Sequence, residues 1–308
     1  MVRYYKNADN KLIEASAAEP GTWVNMINPT EEELNAIGEE LKIDASFLHA
    51  ALDEEETSHI DCEENQTLII IDVPVAETGE KNNVVFATLP VGIIVTTDNV
   101  VTVSLKETSA FREIAEGKVK NVFPVQKTKF VLQVLLRVAK RYLYYLKQID
   151  KISHFVEKQL HKSMKNKELF QLLELEKSLV YFSTSLQSDS ITIKKILSGK
   201  VLKLYEEDQD LLDDVLIEIN QAIEMSHIYS SILTGTMDAF ASVISNNLNI
   251  VMKVLTSVTI LLTIPNVIFS YYGMNVSGLP VPVSWFPPLF AAAVTVITGI
   301  ILRRRDLI

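Results

Sequence analysis

The residues best spaced for chemistry lie on one line in the last quarter of the chain. Starting at Asp238, the positions Ser242, Ser245, Asn249, Met252, Thr256, Thr259, Thr263, Asn266, Ser270 and Gly273 recur at alternating steps of four and three. That is a repeat of about 3.5 residues, the period of helices that wind around a common axis with one face inward. Between Thr256 and Ser270 the only polar residue off the line is Ser257. Two explanations fit a polar line through an apolar helix. Small hydroxyl residues pack helices closely and hydrogen-bond locally, or the line faces water in a pore. Asn266 leans toward water, because a primary amide at membrane depth requires a partner. In a symmetric oligomer each position becomes a ring of hydroxyl, amide or thioether groups without formal charge. Such rings suit a cation that keeps its water shell, and Mg²⁺ dehydrates most reluctantly.

The elements that must position this line follow from the charge pattern. From Val254 to Leu302 no side chain carries a charge. The stretch is too long for one membrane helix of about 20 residues. The run Gly273-Met274-Asn275-Val276-Ser277-Gly278-Leu279-Pro280-Val281-Pro282 divides it as a loop. The spacing predicts a first span at 252–272, a connecting loop at 273–283, a second span at 284–302 and a basic tail at 303–308. Lys253 on one side and Arg303, Arg304 and Arg305 on the other place both flanks, and hence both termini, in the cytoplasm. Tyr271, Tyr272 and Trp285 fall at the opposite boundary, where aromatic belts sit. The competing reading, a hairpin buried in a large soluble protein, sits poorly with so long a charge-free run between cationic flanks.

Upstream lies an acidic body. The chain of 308 residues carries 39 Asp+Glu against 29 Lys+Arg, net −10. No basic footprint for nucleic acid is present, and the apolar content of 48% excludes disorder. Cys62 is the single cysteine, so there is no disulfide framework. The polar opening Met1-Val2-Arg3-Tyr4-Tyr5-Lys6-Asn7 lacks the pattern of a secretory signal. Strands are expected at Val2–Lys6, Leu12–Ala15, Trp23–Ile27, Thr67–Val73, Val84–Leu89, Gly92–Thr96 and Val100–Ser104. Thr30 and Glu33 form a capping box ahead of a helix to Leu41, and a short helix follows at Ala45–Leu52. Alternating strands and helices indicate an α/β domain over 1–120. Long helices are expected at 127–164 and 166–198, and a third from about Glu206. With Gly235 the only glycine or proline between Gly199 and Pro265, nothing breaks that third helix before the first span. Unbroken from Asp208 to Tyr272 it would be about 98 Å long. Leu212, Leu216, Ile219 and Ile223 give it an apolar seam. Residues 121–251 therefore read as a stalk, and a helix this long needs neighbours, which points to several copies.

Tyr272-Gly273-Met274-Asn275 after a first span, with a second span and a basic end, resembles the CorA family of magnesium transporters. The resemblance extends to Asn249-Ile250-Val251-Met252-Lys253-Val254-Leu255-Thr256, to Met237-Asp238-Ala239-Phe240, to Trp23-Val24-Asn25-Met26-Ile27-Asn28-Pro29-Thr30-Glu31-Glu32-Glu33, and to Ala51-Leu52-Asp53. It implies an α+β membrane protein with a cytoplasmic α/β domain. A stalk helix continuous with the first of two transmembrane helices would build a pentameric funnel in the cell membrane. In that homopentamer the first spans line the pore. Gly273, Met274 and Asn275 form the outer selectivity site, and the Asn275 amides hold hydrated Mg²⁺. Asp238, Asn249, Met252 and Leu255 match the inner pore and its hydrophobic gate. The implied cargo is Mg²⁺, with Co²⁺, Ni²⁺ or Zn²⁺ as further possibilities, and the partners are the bilayer and other copies of the chain, with no nucleic acid.

This sequence departs from the family pattern in places. Thr263 stands where Met is common and Asn266 where Thr is. Asn25 replaces a common Asp, and Ser58-His59-Ile60 a common Arg-Pro-Lys. The loop from Gly273 to Pro288 holds no acid. Ion capture would then rest on the amide ring and on the membrane potential, worth about 4.6 kcal/mol per divalent ion per 100 mV.

Other clusters are weaker. Glu206, Glu207, Asp208, Asp210, Asp213 and Asp214 crowd one helix start. Asp210, Asp213 and Asp214 are candidate ligands of a regulatory Mg²⁺ between subunits, a solvated helix end being the plainer reading. Asp53-Glu54-Glu55-Glu56 reads as surface. His49, His59, His154, His161 and His227 show no metal spacing with Cys62, and Ser198-Gly199-Lys200 lacks a phosphate-loop glycine pattern. No nucleophile stands paired with a base, so an enzyme is not expected. Divalent-cation transport is the primary reading. A zinc transporter of the same fold, with or without coupling to protons, is the second, and a two-span anchored sensor without transport is the third.

Overall fold

The computed structural model describes residues 1–308 other than 9, 10, 64, 79–83, 164, 165, 200, 276, 277, 282, 306 and 308, and the backbone alone of 161–163 and 166. Lys200, Val276, Ser277, Pro282 and the His161 side chain, all named above, therefore lie outside the described residues. The chain forms two compact units, Met1–Gly235 and Thr236–Ile308.

The first unit is built on a seven-stranded sheet. Its strands are β1 (Val2–Ala8), β2 (Lys11–Ala15), β3 (Trp23–Ile27), β4 (Ile60–Glu63), β5 (Gln66–Thr78), β6 (Val84–Val95) and β7 (Val100–Ser104), in the order β2-β1-β3-β7-β6-β5-β4. Only β3 and β7 run parallel, with Trp23 opposite Val100; the other pairs are antiparallel. The sheet is thus mixed, more antiparallel than strand–helix alternation suggests, because β4 to β7 fold as a meander.

Side chains alternate between two helical layers, as period-2 geometry requires. Val24 and Met26 face α1 (Glu31–Leu41) and α2 (Ala45–Ala50), where Leu34, Ile37, Phe47 and Leu48 close a dry core. Trp23 points to the other face and meets Phe111 of α3 (Ser109–Ala115) and Phe130 of α4 (Lys127–Ser163). Its indole N–H donates to Thr102, whose hydroxyl donates to Asn25 at 3.0 Å, so this buried polar chain is satisfied. The capping box expected at Thr30 forms: Glu33 N–H donates to the Thr30 hydroxyl at 3.2 Å and Thr30 N–H to the Glu33 carboxylate at 3.0 Å.

One element departs from the sequence reading. Pro90 and Gly92 suggest two strands, Val84–Leu89 and Gly92–Thr96, yet β6 runs unbroken. β7 pairs with β6 only over Val91–Val95, so Pro90 has no neighbour on that side. Opposite Pro90 stands Asp72, whose N–H points away from β6 to Asp189 at 2.9 Å. Pro90 thus interrupts no ladder bond. At Gly92 a Cβ would come within 2.5 Å of the Ala51 Cβ; the glycine lets α2 lie close on the strand rather than marking a turn. The short elements β4 and α3 carry too few periodic residues to be read in advance. α4 and α5 (Asn166–Leu197) lie on β5 and β6 inside the same unit as the sheet.

After a 3₁₀ turn at Glu206–Asp208, α6 runs through Gln209–Tyr272 without interruption, with Pro265 inside it. The second unit holds its last part and α7 (Phe286–Arg304).

Candidate ion pathway in the second unit

Within Thr236–Ile308, two faces of α6 behave differently. Beyond Lys253 the least exposed side chains of α6 are Ser257, Leu261, Ile264, Pro265, Ile268 and Tyr272. These lie on the side that meets α7 and the C-terminal turn. Ser257 donates to the Leu307 carbonyl at 3.0 Å. Leu261 Cδ2 would lie 3.8 Å from a Cβ at Gly299. Tyr272 sits 6.1 Å from the Phe286 ring. At about 100° per residue the line Thr256, Thr259, Thr263, Asn266 and Ser270 falls roughly opposite this face. Every one of these residues is exposed, as are Asp238, Ser242, Ser245, Asn249, Met252 and Leu255 above them in the sequence. The second helix therefore covers the apolar side of the first and leaves the polar line bare.

Three hydroxyls of the line are also pre-satisfied. The hydroxyls of Ser242, Thr259 and Thr263 donate to the carbonyls of Asp238, Leu255 and Thr259 at 3.1, 2.8 and 2.7 Å. A hydroxyl that spends its proton on the preceding turn presents only lone pairs outward. At these three positions the face offers acceptors, which suit the water protons of a hydrated cation. Pro265 lacks the N–H that would bond the Leu261 carbonyl, which puts the helix's one missing donor on the α7-facing side.

The connecting loop is held at both ends. Gly273 N–H donates to Phe269 at 2.8 Å, and Tyr272 donates its hydroxyl to the Pro280 carbonyl at 2.9 Å. Phe286 packs against Tyr272, Trp285 and Phe290, so aromatic rings bracket the loop. A Cβ at Gly273 would press to 3.2 Å on the Phe269 carbonyl. Met274 and Asn275 are exposed beyond this anchor.

The acidic cluster does not converge within one chain. Asp208 is buried, whereas Asp210, Asp213 and Asp214 are exposed, and Asp213 accepts from Gln209 at 3.3 Å. Among the described residues no group of three or more His, Cys, Asp or Glu side chains is placed to hold a metal. His49, His59 and His154 sit beside carboxylates 3.4 to 3.8 Å away, and His227 beside Gln187. Cys62 is exposed. The α7-facing side of α6 and the tyrosine strap on the loop were missed from sequence, although Ser257, the one polar residue off the line, was the available signal.

The sequence model of the CorA-like Mg²⁺ transporter family matches residues 19–304. The chain belongs to the CorA family. A curated CorA relative, the cobalt/magnesium transport protein of Methanocaldococcus jannaschii, is 27% identical over 268 residues, 84% of this chain and 81% of that one. The solved structure of the complete CorA magnesium transporter from the same organism superposes with a TM-score of 0.82 at 23% identity, covering 99% of this chain and 96% of that one. Full-length CmaX gives a TM-score of 0.72 at 14% identity over 99% and 97%. The shared CorA fold is a soluble strand-and-helix unit followed by a long helix. Two helices here are long and apolar enough to cross a membrane, so this CorA-family chain is a membrane protein of a transporter family.

Proposed function

We propose that the chain assembles as a homopentamer in the cell membrane and conducts Mg²⁺ inward down the membrane potential. Residues 1–120 would then be the cytoplasmic domain, 121–251 the funnel, and both termini would lie inside. The observation that carries this reading is the bare polar line of α6 opposite the side that α7 covers. A span serving only as an anchor needs no such face, and the face still needs either water or other copies against it. Asp238, Ser242, Ser245, Asn249, Met252, Leu255, Thr256, Thr259, Thr263, Asn266 and Ser270 would line the path, and Leu255 with Met252 would narrow it. At the outer mouth Asn275, carried on the Tyr272-Gly273-Met274 anchor, would ring the ion with amide oxygens, which match hydrated Mg²⁺ as hard neutral acceptors. Co²⁺, also in the name of the curated relative, would pass by the same chemistry.

Regulation is assigned to Asp213 and Asp214, with Asp210 nearby. Each chain leaves these carboxylates exposed and unconverged, so a Mg²⁺ bridge between neighbours would bring them together and hold the closed state. Loss of the ion would let like charges separate them. The test is uptake into liposomes with an ion-selective dye, comparing Mg²⁺, Co²⁺ and Zn²⁺ with and without a pH gradient. Mg²⁺ flux that follows the imposed potential and ignores the pH gradient is expected. Flux of Zn²⁺ alone, or only with a proton gradient, would overturn the assignment.

A further inference from the structure

A polar cluster in the first unit includes none of the residues assigned above to ion passage or regulation. Asp189 of α5 is 1% exposed and Asp72 of β5 lies beside it on the strand edge past the end of β4. One Asp189 carboxylate oxygen accepts from the Ser58 hydroxyl at 2.6 Å and from the Asp72 N–H at 2.9 Å. The other, Oδ2, is buried and has no hydrogen-bond partner among the described residues. The Asp72 carbonyl accepts from the buried Tyr142 hydroxyl of α4 at 3.1 Å, and its carboxyl is met by Ser185 of α5. The Ser185 hydroxyl is also within hydrogen-bond distance, 3.0 Å, of the Thr88 hydroxyl of β6. Among the described residues, the ionisable groups that act on the pair are these two acids and Tyr142. The nearest imidazoles in sequence are turned elsewhere: His59 to Thr57 and Glu56, and His227 to Gln187. No ion pair from Lys, Arg or His reaches either acid among the described residues.

A buried carboxylate beside a half-buried one, with no cation on either, is a high-energy arrangement unless charge is removed. We propose that Asp189, with the half-buried Asp72 beside it, forms a proton-binding site that fastens α5 to the free edge of β5. A proton on Asp189 leaves Oδ1 able to accept from Ser58 and Asp72 while cancelling the charge. Burial, and secondarily the charge of Asp72, push the Asp189 carboxyl well above its usual range; burial raises Asp72 as well. The two titrate as a pair. Because the folded state binds the proton more tightly than the unfolded chain, the stabilisation is complete below the ordinary carboxylate range. It is lost as pH rises through the raised folded value. Alkaline conditions thus loosen α5 from the sheet, and acid fastens it.

The test uses the full chain in detergent, with thermal unfolding followed from about pH 5 to about pH 8 in the presence of a chelator. The unaltered protein should lose several degrees of midpoint as pH rises. Asp189→Asn, which keeps an acceptor for both donors and has no proton to lose, should remove most of that slope. Equal slopes in both proteins overturn the proposal. So does recovery of the high-pH loss by added Mg²⁺ or Ca²⁺ in the unaltered chain alone, which would make the pair a metal site. Should Asp189→Asn fail to fold, infrared titration of the unaltered chain decides. A carboxylic-acid carbonyl band persisting above the normal aspartate range supports the site, and its absence refutes it.

Discussion

The two units of this chain treat polar and apolar side chains in opposite ways. In Met1–Gly235 the polar residues that are buried are mostly bonded, as with Trp23, Thr102 and Asn25, and a large apolar core is inside. In Thr236–Ile308 most apolar side chains are outside: Leu262 is 70% exposed and Leu289 63%, while the polar Ser257 is buried. An apolar exterior is stable only in lipid or against other chains. The comparison separates two kinds of work. In the first unit a substitution changes stability, because close packing decides its energy. In the second, under the proposed function, a substitution on the bare polar face would change what passes it and leave folding alone.

Three substitutions break or sharpen that separation, taken from largest effect to smallest. Asn275→Ala should abolish Mg²⁺ uptake in the liposome assay while the detergent-solubilised oligomer elutes unchanged in gel filtration. Retained uptake would detach the loop from ion selection. Gly92→Ala should do the reverse. Its new methyl meets Ala51, so about 1–3 kcal/mol of stability goes in overpacking, read by denaturant unfolding, and the ion preference of the surviving protein stays as before. Thr30→Ala should remove the cap on α1 for about 1 kcal/mol, with no change in uptake per folded oligomer.

A fourth substitution probes the polar face itself. Thr263→Val keeps the side-chain shape and deletes an outward acceptor. Uptake should fall a few-fold with an unaltered melting midpoint, the smallest of the four effects on the protein as a whole. A stability loss without a transport change would mean that Thr263 is a packing residue.

Much of this was legible because it rests on local periodicity. The 3.5-residue line on α6, the charge-free hairpin and the Thr30–Glu33 box are each written within a few turns of chain. β6 was misjudged for the same reason: Pro90 and Gly92 are breakers in isolation, and only the edge beyond β7 and the approach of Ala51 make them strand residues. The Asp72–Asp189 pair left no local trace, since its members are far apart in sequence and meet only when α5 lies on β5. The side of α6 that α7 covers was half legible. Ser257 stood off the polar line, but its acceptor, the Leu307 carbonyl, lies beyond the second span.

The central claim is that the polar line faces water while the opposite side of the same helix faces α7. Cysteines placed singly at 256 through 270, in a chain carrying Cys62→Ser, can be challenged with a membrane-impermeant thiol reagent in the reconstituted protein. Fast reaction at Thr256, Thr259, Thr263, Asn266 and Ser270, with protection at Ser257, Leu261, Ile264 and Ile268, is the predicted pattern. Uniform reactivity along the helix, or the same rhythm in opposite phase, would contradict it.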